Sequence, residues 1–223
     1  QFNYQNKDTQ VSAENANFNM VYGDNGLLRS INGNANNFKY NGENGKLDVA
    51  KGDVSVTFGE NGKLSSFNGT SNNVHWDGTN GDKLNANNTS LSMNCYEDGT
   101  LSQVTTTMGH LNFTSKQGDK LNVINGAVDI KYNPNGTLSN ATGSADLLKW
   151  EGKSGDILKA NNTTLNVSTN SNGTFKNINT TIGNLNVLTK DGNKVDVING
   201  SADINFNDNG TLKDVTASTE SLK

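Results

Sequence analysis

A single cysteine, Cys95, excludes an intramolecular disulfide and any cysteine-rich zinc site. Charge is also scarce. Charged residues make up 18% of the chain, the net charge is -4, and no run of Lys or Arg occurs, so nothing provides an electrostatic footprint for nucleic acid or an anionic membrane surface. No nucleic-acid partner is expected. No apolar stretch approaches the ~18 residues that a membrane-crossing helix requires, and no signal-peptide core opens the chain, which as given is expected to be soluble. Hydrophobic residues amount to 31%, which permits only a thin core.

The chemistry of catalysis is equally thin. There is no G-x-S-x-G elbow, Walker loop, H-E-x-x-H or Rossmann fingerprint. His75 and His110 stand in different segments without a cysteine or clustered carboxylates beside them, so each is expected as a solvated or half-buried strand residue. Glu97, Asp98 and Glu151 fall at turns and lack the paired burial that glycoside-cleaving carboxylates need. No enzyme activity and no cofactor are expected. Sequons such as Asn68, Asn88, Asn162 and Asn179 follow from a composition in which Asn is the commonest residue.

What is present is a repeat. Residues 81–117 and 118–154 are two units of 37, and the pair returns 74 residues on: Gly81, Asp82, Leu84, Leu91 and Gly99 match Gly155, Asp156, Leu158, Leu165 and Gly173. Upstream the offset is 73, pairing Val11, Phe18 and Met20 with Leu84, Leu91 and Met93. About six units fill the chain, and a period of this size marks an architecture in which each unit buries its apolar face on its neighbours. One elongated domain spanning residues 1–223 is expected, with a polar lead-in over residues 1–8. The chain begins at Gln1 without a Met and ends at Lys223, whose repeat equivalent Lys149 is followed by Trp150. A removed export signal, a chain cut within a repeat and further repeats beyond it are therefore expected.

Short apolar alternations such as Phe18, Met20, Tyr22 and Val128, Ile130, Tyr132 have the period of two that defines β-strands, and no window has a helical period. Two turn families separate them. One, with GDNG, EDGT, NPNGT, NSNGT and NDNGT, has the chemistry of a type I turn closed by a left-handed glycine. The other, with DGTNGDKL, KQGDKL, EGKSGDIL and KDGNKV, predicts somewhat longer reversals on the opposite edge. The segments between turns are too long for ordinary straight strands, so each must bend. Permissive residues lie near their middles: Gly52, Asn87-Asn88, Gly126, Asn161-Asn162 and Gly200 in one set, Gly33, Gly69, Gly109, Gly143 and Gly183 in the other. The expected fold is all-β, about twelve antiparallel bent strands forming one long sheet creased along its length.

Alternation leaves one face apolar and the other wet, so two apolar walls face each other across the crease. Cys95 is in phase with Leu91 and Met93 and is expected as a small buried apolar residue. Asp82, Asp119 and Asp156 recur at one corner, but the glycine-rich calcium repeat is absent and a turn aspartate ordinarily bonds its own backbone, so no metal site is assigned.

Units such as GDKLNVINGAVDIKYNPNGTL, with a GD-x-L opening, a short strand, a bend at Asn-Gly, a second strand and an Asn-Gly turn, resemble the OstA-like β-jellyroll (β-taco) family of lipopolysaccharide-transport proteins. The resemblance is one of pattern over nearly the whole chain. It implies a periplasmic or cell-surface module that carries an amphiphilic lipid such as lipopolysaccharide and stacks end to end on like or related β-sheets. The groove would be lined by Leu84, Leu91, Met93, Leu111, Phe113, Val128, Ile130, Leu148, Trp150, Leu165, Val187 and Ile204. The alternative is that the walls pack on each other as a filled core, in a structural repeat protein such as an adhesin stalk, fibre or surface-layer segment.

Overall fold

The computed structural model describes residues 2–5, 9–43 and 45–223. Its strands run β1 Phe2–Gln5, β2 Gln10–Tyr22, β3 Leu28–Gly42, β4 Gly45–Phe58, β5 Leu64–Gly78, β6 Lys83–Cys95 and β7 Leu101–Thr114. They continue as β8 Lys120–Tyr132, β9 Leu138–Glu151, β10 Ile157–Thr169, β11 Phe175–Leu188, β12 Lys194–Phe206, β13 Leu212–Ser218 and β14 Ser221–Leu222. No helix occurs among the described residues. Each strand from β1 to β13 pairs antiparallel with the next, and β14 returns to β12, so a single sheet carries the whole fold and does not close on itself. β13 and β14 are one arm interrupted at residues 219–220, both halves lying along β12. The arms therefore number thirteen rather than twelve. The extra one is β1, because the lead-in expected to be merely polar pairs Tyr4 with Val11.

Both turn families have the same wiring. Asn133 N–H donates to the Thr137 carbonyl and Gly136 N–H to the Asn133 carbonyl; on the opposite edge Gly152 N–H donates to Asp156 and Gly155 N–H to Gly152. The longer reversals expected on that edge are thus ordinary glycine-bulge turns, with Gly136 at φ 81° and Gly155 at φ 100°. The turns are also stitched to one another. Lys116, Lys153 and Lys190 donate their backbone N–H groups to Oδ1 of Asp82, Asp119 and Asp156, at 2.8, 3.0 and 2.9 Å. These aspartates serve their own turns through Oδ2, which accepts from Asn80, Ser115 and Ser154, and through Oδ1 they bridge to the next turn on the same edge. On the other edge Asn61 and Asn135 donate side-chain N–H groups to the carbonyls of Glu97 and Ser171, at 2.7 and 3.0 Å.

The crease is drawn by asparagine. Left-handed backbone occurs at Asn15, Asn37, Lys51, Asn88, Asn125, Asn162 and Asn199, and from residue 51 onward the spacing is 37. Asn88 and Asn162 are where bends were expected. At Gly52, Gly126 and Gly200 the conformation belongs instead to the preceding residue: Asn125 and Asn199, which tolerate the left-handed region through local hydrogen bonding, and Lys51, which has no such support. The intervening arms meet this line at Asn72, Gly109, Asp146 and Gly183, the positions left between registered pairs on either side. Gly33, Gly69 and Gly143 lie off the crease, paired with Phe18, Leu91 and Leu165. The crease is fitted in two ways. Where an acid faces the asparagine, a hydrogen bond forms, as from Asn125 Nδ2 to Asp146 Oδ2 at 2.7 Å and from Asn37 Nδ2 to Glu14 Oε2 at 2.8 Å. Where glycine faces it, the backbones close up, so that a Cβ on Gly109 or Gly183 would stand 3.3 or 3.2 Å from the asparagine Cβ.

Register sorts the side chains by face. Asn19, Asn32, Ser55, Asn68, Ser92, Thr105, Asp129, Thr142, Asn166, Asn179, Asp203 and Thr216 form one continuous cross-strand row, entirely polar. The neighbouring row on the opposite face is entirely apolar: Met20, Ile31, Val56, Phe67, Met93, Val104, Ile130, Ala141, Val167, Ile178, Ile204 and Val215. Exceptions sit beside the crease, where Ile124 and Leu147 are cross-strand partners on the polar side.

Candidate functional site: an apolar trough

Four apolar rows cross the sheet, and together they hold all twelve groove residues expected from the sequence. The row nearest the GD-turn rim contains Leu84, Phe113, Trp150 and Val187. The next contains Leu111 and Leu148, each flanked by alanine or valine. Beyond the crease, one row contains Leu91, Val128 and Leu165, and the last is the aliphatic row with Met93, Ile130 and Ile204. All twelve share a face.

Burial shows which face lies inside the crease and how open it is. The most buried apolar residues flank the crease: Ala13, Ala86 at 4%, Ala160 at 3% and Ala145. Other trough residues are more open, with 37% exposed at Leu91, 47% at Leu165 and 38% at Trp150. None of the twelve groove residues is buried, and no large side chain among the described residues is fully buried. The total accessible surface is 13257 Å², against about 9,900 Å² for a compact globule of this mass. Near the β13 end both walls line one cleft of about 340 Å³, with Val197 from one wall and Thr180, Ala202 and Ala217 from the other. Ala202 there occupies the row position of Leu91, Val128 and Leu165, which is what opens the cleft.

The row through Leu91 alternates in size. Val54, Leu91, Val128 and Leu165 are separated by Gly69, Thr106 and Gly143. On the facing wall the order is reversed: Ala86 and Ala160 stand on the arms of Leu91 and Leu165, while Leu111 and Leu148 stand on the arms of Thr106 and Gly143. Sequence reading missed this complementarity, although the glycines at 69 and 143 were a signal of it.

Polar chemistry stays outside the trough. His75 Nδ1 lies 2.6 Å from Asn85 Oδ1 and Nε2 lies 3.0 Å from Asp77 Oδ2. Hydrogen bonding to Asn85 and then Asp77 raises the imidazole pKa above its ordinary value. Asp77 is lowered in turn, chiefly by its bond to His75. His110 accepts from Asn122 Nδ2 at 2.7 Å when its Nε2 is unprotonated. No group of three His, Cys, Asp or Glu side chains converges among the described residues. Cys95, expected to be buried, is half-buried, because it ends its strand beside the turn that leads to Leu101.

Together these features define a class: an open antiparallel β-repeat sheet, creased along its length, with an apolar inner face and a polar outer face. Comparison with known proteins adds no nearer assignment, for no family model and no curated protein matches the chain.

Proposed function

We propose that the chain is a non-enzymatic module that shelters the apolar part of an amphiphile in its crease. The observation that carries this reading is the incomplete burial of four largely apolar rows on one face, with no large side chain among the described residues fully buried; an extended exposed apolar surface of this kind marks a binding face. Acyl chains laid along the rows would gain about 25 cal/mol per Å² covered, while head groups remain in water at the open mouth. Both ends of the sheet present the same rows, through Phe18, Met20 and Tyr22 of β2 past the short β1 at one end and Leu212 and Val215 of β13 at the other. Pairing with a like sheet would lengthen the trough without interrupting a row. Such a carrier suits an aqueous space between membranes.

A filled core in a structural repeat protein is the second reading, and the reciprocal sizes of Leu91 with Ala86 and Gly143 with Leu148 favour it. Native mass spectrometry of freshly purified protein, paired with displacement of a fluorescent fatty-acid probe, separates the two. Co-purifying amphiphile and saturable displacement are expected; recovery of neither would sink the carrier. The Ile130→Ala variant gives an independent check. In an open trough it lowers stability by about 1 kcal/mol, whereas in a packed core the loss is about 2–5 kcal/mol.

A further inference from the structure

The rim row carries a feature that a lipid trough does not require. On alternate arms it places Tyr40, Trp76, Phe113 and Trp150, and both tryptophans of the chain stand in it. Three of these rings lie over a glycine two residues further on. A Cβ on Gly78 would meet Trp76 Cη2 at 2.7 Å, one on Gly152 would meet Trp150 Cη2 at 2.7 Å, and Tyr40 covers Gly42 in the same way. Gly152 is buried while Trp150 remains 38% exposed. The outer edge of each indole thus covers the backbone at its glycine, while part of the ring stays in solvent. The rings recur every second strand, which sets them about 9.6 Å apart.

We infer that this wall is a stacking platform for an extended β-1,4-linked glycan. Such a chain turns equivalent sugar faces the same way once in two residues, an advance close to two strand spacings. Pyranose C–H groups carry partial positive charge and pack on the negative face of an aromatic ring, which is the contact a flat, half-exposed indole offers. Four rings in line would hold alternate sugars over β3 to β9, with the intervening Leu47, Leu84 and Leu121 beneath the sugars between them. Stacking needs no charge, in keeping with a site that has none in its row. The proposal does not depend on the trough carrying lipid.

The full chain is titrated with cellohexaose and with chitohexaose, following tryptophan fluorescence, which reports only on Trp76 and Trp150, and calorimetry. Saturable binding with a tryptophan spectral shift is expected for at least one sugar. Trp76→Leu with Trp150→Leu retains apolar area and should weaken binding at least about tenfold, with an unchanged circular dichroism spectrum. Gly78→Ala with Gly152→Ala keeps both indoles but lifts them from the backbone, and should also weaken binding. The absence of saturable binding by either sugar at millimolar concentration, or undiminished binding by both double variants, overturns the inference. Sugar binding unchanged in Ile130→Ala, whose row lies beyond the crease, keeps this site separate from the lipid reading.

Discussion

Replacing Asn125 tests the origin of the crease. Asn125 holds φ 49° and donates to Asp146 Oδ2 at 2.7 Å. Alanine in the left-handed region costs about 1 kcal/mol, and loss of an exposed hydrogen bond adds about 0.5–1 kcal/mol. Asn125→Ala should therefore destabilise the fold by about 2 kcal/mol, or roughly 4–8 °C in Tm for a chain of this length. Asn125→Gly removes the same hydrogen bond but keeps the backbone conformation accessible, so it should cost only about 1 kcal/mol. The order is the test, because in an ordinary strand alanine is the more stable of the two by about 0.5–1 kcal/mol. At Asn88, which faces Gly109 rather than an acid, the alanine variant should lose only the backbone contribution. Lys51 occupies the same crease position at φ 48°, and Lys51→Asn should gain about 1 kcal/mol. Urea and thermal unfolding of the four variants measure these differences. Alanine equal to or better than glycine at residue 125 would refute the left-handed account of the crease.

Three further outcomes follow from the packing and the charges. Gly126→Ala places its Cβ 2.9 Å from Val123 Cγ1 and 3.1 Å from Met108 Cγ, and should cost about 1–3 kcal/mol in urea unfolding. The Asp98 carboxyl is lowered chiefly by the Thr100 hydroxyl, and that of Asp156 by the Ser154 hydroxyl and the Lys190 N–H. Their contribution is present above the unfolded carboxyl value of about 3.9 and fades as pH falls through the lower folded values. A thermal scan across acid pH should show this loss, and Asp98→Asn/Asp156→Asn should make the acid limb shallower. His75 has the opposite sign. Its raised pKa gives stability that is complete below about 6.5 and disappears as pH rises through the folded value. An NMR titration should find the His75 midpoint above that of an unstructured peptide, and His75→Gln should remove the corresponding slope in Tm.

The trough residues were legible because strand alternation is a strict rule of period two: once Val128 and Ile130 are on one face, Asp129 cannot be. The bends were half legible. Their location followed from arms too long to be straight, but glycine was expected where asparagine does the turning, since both accept positive φ and only the backbone reveals which residue has it. Lys51 carried no signal at all, being a poor residue for the conformation its neighbours impose. The aspartate stitches were hidden for another reason. Asp119 and the Lys153 N–H that it serves lie 34 residues apart, and only stacking of successive turns brings them together.

Sequence alone determined the period, the antiparallel strand order and the division into wet and apolar faces, because each depends on spacing along the chain. Tertiary structure decided where the sheet folds and how far its walls stand open. It also decided that the rim indoles reach over Gly78 and Gly152. Those properties depend on side-chain volumes meeting across strands, which a one-dimensional pattern does not encode.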